Sequence, residues 1–594
     1  MAAMSRAFRA AVTVPLLVLL AACGPDASGS GKSGAAAPSS AVPSPAAPPV
    51  APASPGASAG ASSATSGSAP ADPAAHARQV VATLSDADLA GQVLMPYAYG
   101  GSATDVDQAA AAGNQAIAGV NTPAEMIAKF HLGGLILVAF TPEDPTGKTN
   151  PATNVDNPQQ VRTLTDGLQT AARALPGGAP LLIGTDQEYG VVTRVKSGVT
   201  LLPSAMTFGA GGKPALTQGA WRAAGEELAA MGINLDFAPV ADTLGPQGNA
   251  VIGSRSHGAD PKVNAAQVGA AVRGIEQSGV AAALKHFPGH GHTTGDSHDD
   301  LPVVHQKLAQ WQQQDRPPFA AGIAAGASVV MSGHLDVQAL DKGVAATFSR
   351  KIMTDVLRTS LGFKGVAITD AMNMAPAMKW PAGEAAVRAL NAGNDMLLMP
   401  PNLAGARDGI LAGLSGGTLK RDRLVEAVTR ILTLKFRLAA KHQPALTTVG
   451  STAHQRAVSA ADAAAITILR GRCQGPLVTG PITVTASEGR ETARADLTAA
   501  LQAAGLTVQP TGGTIVHLVG YGDKQPDLSP AAAVTVMMDV PTLLAQAKSP
   551  TLLATYSSSP LALKALAAVL AGKAKAPGKS PVPVAKLPRT ACPK

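Results

Sequence analysis

The chain has 594 residues, a formal charge of +8 and only 3% aromatic side chains. That length supports more than one domain. No basic patch is interleaved with aromatics, which argues against nucleic acid as a partner.

The first residues, MAAMSRAFRAAVTVPLLVLLAACG, read as an export signal over 1–22. Arg6 and Arg9 make a positive start, an apolar run follows from Ala10 to Leu20, and small residues come next. The run is shorter than the roughly 20 residues that span a bilayer. Its end, Leu20-Ala21-Ala22-Cys23-Gly24, resembles the lipobox of bacterial lipoproteins, which implies cleavage before Cys23 and acylation there. The alternative is an ordinary signal peptide with an incidental cysteine. The resemblance implies a membrane partner through a lipid anchor, at the outer face of the cell membrane and facing the wall. Residues 23–74 are almost wholly Ala, Ser, Pro and Gly. They have too little apolar side chain to offset the entropy of ordering, and read as a disordered tether with a root-mean-square span of about 40 Å.

Over 75–448, short apolar runs alternate with Ala-rich helical stretches. The runs are Val93–Tyr97, Leu135–Phe140, Leu181–Thr185, Leu235–Val240, Ala281–Lys285, Ser328–Ser332, Val366–Thr369 and Asp395–Met399. Segments such as Leu216–Met231 and Val263–Ser278 carry Ala, Leu and Val at helical spacing. Alternating strand and helix implies a parallel sheet, and eight repeats predict an α/β (β/α)8 TIM-type barrel, whose site lies at the strands' C-terminal ends. The polar residues gather there: Asp186 and Glu188 after the third run, Asp236 in the fourth and Asp242 after it, Lys285 and His286 at the fifth, His334 after the sixth and Asp370 after the seventh.

Residues 449–594 read as a smaller, sandwich-like α/β domain. AITILRG, PITVTAS, TIVHLVGYG, AVTVMMDV and TLLATYS look like strands, with helices near Asp496–Ala504 and Leu561–Leu570. No cluster of catalytic groups stands out in it. From Leu552 onward the basic residues Lys564, Lys573, Lys575, Lys579, Lys586, Arg589 and Lys594 have no acidic counterpart, and the end reads as a solvated basic tail. With Cys23 lipidated, Cys473 and Cys592 remain as an even pair, free to form a disulfide outside the cytoplasm or to stay as two thiols.

The stretch KHFPGHGHTTGDSH, residues 285–298, carries four histidines, His286, His290, His292 and His298. It resembles the signature loop of glycoside hydrolase family 3, in its β-N-acetylglucosaminidase branch. LSDADLAGQVLM, GTDQEYGVVTRV, INLDFAPVAD, IGSRSHGADP and ITDAMNM recur in the family's order. The resemblance implies removal of terminal β-linked N-acetylglucosamine with retention, through a covalent sugar–enzyme intermediate and without a cofactor. It implies Asp370 as nucleophile and His298, paired with Asp296, as acid and base. Imidazole suits both duties because its ordinary pKa lies near neutral pH. It also implies sugar contacts from Asp186, Arg194, Arg255, Lys285 and His286. Lys285 has a plainer reading as an ion-pair partner of Asp186. Gly289, Gly291 and Gly295 would let the loop move. Where the family reads EGGRV this chain reads EYGVV, and Tyr189 is expected to add bulk near the pocket rim.

His290-Gly291-His292 has a spacing seen in metal-dependent barrel hydrolases, but it sits in a glycine loop without a clear bridging ligand. His334 and Asp395 could be recruited to complete it, and no metal is expected. Two further functions remain open: a family 3 β-glucosidase or xylosidase, and a catalytically silent sugar-binding lipoprotein. Exported next to the wall, the chain would meet an N-acetylglucosamine-containing glycan, with peptidoglycan fragments the expected source. The oligomeric state is unknown.

Overall fold

A computed structural model describes residues 72–139, 144, 153–246, 248–249, 251–293 and 295–592. The export signal, Cys23 and nearly all of the 23–74 segment lie outside them. Among the described residues no helix is long and apolar enough to cross a membrane.

Each of the eight apolar runs contains a strand: β1 (Leu94–Met95), β2 (Gly134–Leu137), β3 (Leu182–Thr185), β4 (Leu235–Asp236), β5 (Ala281–Phe287), β6 (Val329–Ser332), β7 (Val366–Thr369) and β8 (Leu397–Leu398). β2 to β7 form one sheet in chain order, every pair parallel. The ring closes through β1 and β8, which pair in parallel with Leu94 opposite Leu397. Ile136 N–H donates to the Pro96 carbonyl at 3.0 Å on one side, and Ile368 bridges Met396 on the other. The result is a (β/α)8 barrel.

The surrounding helices follow from local chemistry. In Pro158–Arg173, Asn157 accepts from Gln160 N–H at 3.1 Å and proline fills the first position, a favourable start. Val161, Leu164, Leu168 and Ala172 are buried at helical spacing. The main core runs through the barrel interior and this helical ring, with Met95, Phe130, Trp221, Phe237, Phe287 and Phe319 among its largest members. Full burial of such a side chain contributes about 1.5–3 kcal/mol.

Thr452–Ala465 leads into a five-stranded sheet: β9 (Thr467–Arg470), β10 (Ile482–Ala486), β11 (Thr514–Val519), β12 (Val534–Met537) and β13 (Thr551–Ala554). Its order is β9-β13-β12-β11-β10, antiparallel only between β9 and β13. Glu491–Ala503 and Pro560–Leu570 pack on it around Leu497, Leu501, Leu563 and Leu566. A separate apolar cluster joins this sheet to the barrel, bringing Met206, Val240 and Ile252 against Leu469, Val519, Met537 and Tyr556. Ser204 Oγ donates to the Tyr556 carbonyl across the same seam at 2.6 Å.

The basic end of the chain corrects the reading of a solvated tail. Its backbone is docked on the barrel: Ala259 N–H donates to the Pro581 carbonyl and Lys579 N–H to the Ala210 carbonyl, both at 3.1 Å, while Val582 and Val584 are buried. Lys573, Lys575, Lys579 and Lys586 still reach water. Apolar residues between the lysines supply the contact. Cys473 and Cys592 form a disulfide with Cα atoms 5.4 Å apart, fastening the end to the sheet.

Two buried charges lie at the strands' N-terminal ends. Asp395, just before β8, is fully buried and pairs with Arg358, Arg423 and Arg430 at 2.5, 2.8 and 3.0 Å. It is therefore a structural clamp, far from any role beside His290 and His292. Lys435 donates to Gln92 Oε1 at 2.7 Å and meets no carboxylate among the described residues, and burial pushes its amine down to about 7. The unfolded chain keeps that proton up to about pH 10.5, so between about 7 and 10.5 the unfolded state holds more protons and stability rises with pH. Lys435→Met should remove this rise. The gain over the parent should be largest near pH 7 and fade towards pH 10, as read by urea unfolding; an unchanged pH slope would contradict the assignment.

Candidate active site

The C-terminal ends of β3, β5, β6, β7 and β8, with the loop that follows β4, converge on a cavity of about 500 Å³, its open mouth included. Asp186, Arg194, Arg255, Lys285, His286, His298 and Asp370 all line it, together with His290 and Ser297. Every expected sugar contact and both expected reacting groups thus meet in one place, although their sequence positions span nearly two hundred residues.

Charge pairing sets the floor. Lys285 Nζ lies 2.6 Å from Asp186 Oδ1 and 2.6 Å from Glu188 Oε1. Arg255 makes a two-pronged contact with Glu188 at 2.7 and 2.8 Å. Arg194 pairs with Asp144 and reaches Asp186 at 3.5 Å. Burial works against the Glu188 charge, but Arg255 and Lys285 outweigh it and hold the carboxyl well below the usual range. Burial likewise disfavours the Lys285 ammonium, and Asp186 and Glu188 overcome it, raising its pKa. Asp236, beneath them on β4, has no ion pair among the described residues, and burial drives its pKa well above the usual carboxylate value. The pairing of Lys285 with Asp186 therefore holds alongside its place in the cavity wall.

His286 is fixed by Asp242, which accepts from its backbone N–H at 3.2 Å and lies 2.7 Å from Nδ1. Its Nε2 is 3.3 Å from Arg255 Nη2. Asp370 follows β7 directly, and its Oδ1 accepts from Ala371 N–H at 2.8 Å. Burial alone would raise its pKa; the neighbouring His286 and His334 rings and that backbone donor bring it below the ordinary value, so the group is a carboxylate at neutral pH. Beside it His334 is tied to Thr347 Oγ1 at 2.8 Å and to the Ala371 carbonyl at 3.0 Å.

The four histidines of the loop separate cleanly. His298 Nδ1 lies 2.6 Å from Asp296 Oδ1, which also accepts the His298 backbone N–H at 2.9 Å. This leaves Nε2 for the cavity. His290 has both ring nitrogens engaged, with Thr293 Oγ1 at 2.8 Å and Ser297 Oγ at 3.1 Å, and burial lowers its pKa to about 4. His292 leans on Asp315 at 3.0 Å. Among the described residues no three His, Cys, Asp or Glu side chains converge as metal ligands would.

Two expectations about this region change. Tyr189 does not stand at the rim: its ring is buried edge-on against Trp221, 5.8 Å between centroids. The backbone there has φ +65°, a left-handed turn that costs a non-glycine residue about 1–2 kcal/mol and is offset by burying the ring. Gly291 is required for close approach rather than for looseness, since a Cβ would come within 2.0 Å of the Thr243 carbonyl oxygen. Glu188 and Asp242 were visible as strand-end polar groups without an assigned part, and His334 only as a metal candidate. Asn249, which donates to the His290 and Thr293 carbonyls at 2.9 and 3.1 Å, and Asp144 gave no sequence signal.

Glu188→Gln keeps the shape and removes the charge, leaving Arg255 and Lys285 under-compensated in a buried site. Breaking a buried pair in this way costs about 3–5 kcal/mol. Urea unfolding should register a loss of that order, and a loss below about 1 kcal/mol would show that solvent, not Glu188, neutralises the pair.

Residues 102–434 match the model of the glycosyl hydrolase family 3 N-terminal domain. A protein of Pseudoalteromonas piscicida described as beta-hexosaminidase A is 35% identical over 374 residues, covering 58% of this chain and 60% of that one. A beta-hexosaminidase of Stenotrophomonas maltophilia is 41% identical over 254 residues, 41% of this chain and 73% of that one. Among solved structures, a family 3 beta-N-acetylglucosaminidase from a Paenibacillus species superposes with a TM-score of 0.72 at 30% identity, covering 84% of this chain and 99% of the other.

Proposed function

Because the chain belongs to glycosyl hydrolase family 3, we propose that it is a retaining β-N-acetylhexosaminidase that removes terminal β-linked N-acetylglucosamine. The observation that carries this reading is the meeting, in one cavity, of an ionised Asp370 with a histidine held by its own aspartate, above a floor of paired cations and carboxylates. The relatives described as beta-hexosaminidases and the beta-N-acetylglucosaminidase of similar fold support it.

Asp370 attacks the anomeric carbon while His298, as imidazolium, gives its Nε2 proton to the departing glycosidic oxygen. The C–O bond breaks as the carboxylate–sugar ester forms. Neutral His298 then takes a proton from water, which displaces Asp370 and restores the starting charges. Asp296 holds Nδ1–H and so fixes the ring's orientation. Asp186 accepts from sugar hydroxyls, and Arg194, Arg255, Lys285 and His286 donate to hydroxyls and to the acetamido oxygen. The chemistry uses side chains alone. With acylation at Cys23 and the 23–74 tether, the enzyme would stand at the outer face of the membrane, next to peptidoglycan fragments as substrate.

The first test is turnover of a chromogenic N-acetylglucosaminide against the matching glucoside: the former should be strongly preferred, and equal or reversed rates would favour a glucosidase. His298 is tested by leaving group. A sugar alkoxide leaves badly without a proton and a nitrophenolate leaves unaided, and general acid help is worth about 10²–10⁴-fold. His298→Ala should nearly abolish disaccharide cleavage while still forming the ester from the nitrophenyl glycoside, and azide should restore turnover as the glycosyl azide. His290→Ala should show no such split. The reverse pattern would move the acid–base role to His290.

A further inference from the structure

Arg255 reaches the cavity from the loop that joins β4 to the helix Pro261–Gln277. On its inner side this loop is held by Asn249. The Asn249 Oδ1 accepts from Val251 and Ile252 N–H at 2.9 and 3.0 Å, and its Nδ2 donates to the His290 carbonyl at 2.9 Å. Further along, Ser256 Oγ donates to the Asp242 carbonyl at 2.7 Å. The outer side of the loop is covered by the end of the chain. Ala259 N–H donates to the Pro581 carbonyl at 3.1 Å, and Val582 and Val584 share an apolar cluster with Val240, Leu244 and Ile252. Ile252 immediately precedes the turn Gly253–Arg255. The approach leaves no room for a side chain: Gly258 has φ +134°, and a Cβ there would lie 2.7 Å from the Pro581 Cβ and 2.8 Å from its carbonyl oxygen. The segment that carries Arg255 is thus clamped between the histidine loop within and the chain end without.

A chain end frays first unless something ties it down. Backbone bonds spread along residues 578–592 tie this one. Gly578 N–H donates to the Ile466 carbonyl at 3.0 Å, Ser580 N–H to the Arg589 carbonyl at 2.7 Å, and Ala591 N–H to the Ile468 carbonyl at 2.7 Å. The Cys473–Cys592 bridge adds a covalent hold one residue beyond the last of them. With the bridge intact the segment is fixed at both ends. Lifting Pro581 off the Arg255 loop then means opening a closed span, where a free end could peel away by local unfolding. Neither cysteine, nor Pro581, is among the residues that line the catalytic cavity.

We propose that residues 578–592 are a strap that positions Arg255 for the sugar, and that the Cys473–Cys592 bridge keeps the strap closed, so that cutting a bond outside the cavity weakens binding inside it. Pro581 and Cys592 are positioning residues that act through Arg255. The inference rests on the hydrolase reading above, in which Arg255 donates to the substrate, and adds to it a part for the docked chain end and its disulfide.

The experiment breaks the bridge in the full chain and reads binding apart from turnover. Cys473→Ser with Cys592→Ser should raise KM for a nitrophenyl N-acetylglucosaminide about fivefold or more and leave kcat within about twofold. The Kd for N-acetylglucosamine should rise by the same factor. A strap that only stabilised the fold would behave differently: a smaller folded fraction lowers kcat per total protein and leaves KM alone. If the double variant does not fold, the parent reduced with dithiothreitol takes its place, with recovery on reoxidation. There the dithiol gives two electrons to the bridge, which becomes two thiols while the reductant closes to a cyclic disulfide. Action through Arg255 is read from a cycle. In Arg255→Lys the loss on breaking the bridge should shrink to about twofold or less, because the contact it supports is already weakened. An unchanged KM and Kd, a fall in kcat alone, or an equal loss in both backgrounds would overturn the strap. Parent turnover of the nitrophenyl glycoside is the separate check on the hydrolase reading. Its failure would remove that reading and leave the Kd to decide the strap, whereas a KM insensitive to the bridge in an active parent removes only the strap.

Discussion

The site depends on keeping three cations buried at the mouth of a barrel. Lys285, Arg255 and Arg194 are almost wholly withdrawn from water, and isolated charges there would cost several kcal/mol each. Glu188 answers two of them at once, Asp186 bridges Lys285 to Arg194, and Asp144 closes the set. The strand ends that present these groups are held by the barrel's hydrogen-bonded ring, so side chains with long flexible stems stand in fixed places. A substrate's hydroxyls then meet donors and acceptors already oriented, and little ordering is left to be done on binding.

The surroundings of each group also separate the protonation states that the proposed two-step hydrolysis requires. The proposed nucleophile, Asp370, must stay ionised although buried, and the rings of His286 and His334 with a backbone donor hold its pKa low. Asp236 has no comparable partner, and burial shifts it the opposite way, upward. Two aspartates, one on β4 and one after β7, are thus shifted in opposite directions by their surroundings alone. Burial sorts the histidines as well: His290 is kept neutral and spends both nitrogens inside its loop, while His298 spends only one, on Asp296.

Much of this was legible in the sequence because strand direction is regular. Once eight apolar runs imply a parallel barrel, a polar residue just after a run must face the mouth, and Asp186, Lys285, His286 and Asp370 follow without knowledge of any contact. What the sequence does not carry is pairing at a distance. Glu188 and Arg255 meet across 67 positions, and the orientation of either alone implies nothing about the other. Tyr189 was misplaced for a related reason: a left-handed turn sent its ring inward to Trp221, and left-handed backbone at a tyrosine has no reliable signature. The basic tail misled because its lysines are conspicuous, whereas the contacts that dock it come from Val582, Val584 and backbone groups. The seam between barrel and sheet, built from residues hundreds of positions apart, was equally hidden.

The central claim is that Asp370 forms a covalent bond to the sugar in a site organised by paired charges. The most direct measurement is mass spectrometry of the protein after reaction with a fluorinated N-acetylglucosaminide whose intermediate breaks down slowly. The account expects one added sugar, on the peptide containing Asp370, and its loss when water or azide is given time to act. An adduct on any other residue, or a product of inverted anomeric configuration with no adduct at all, would contradict it.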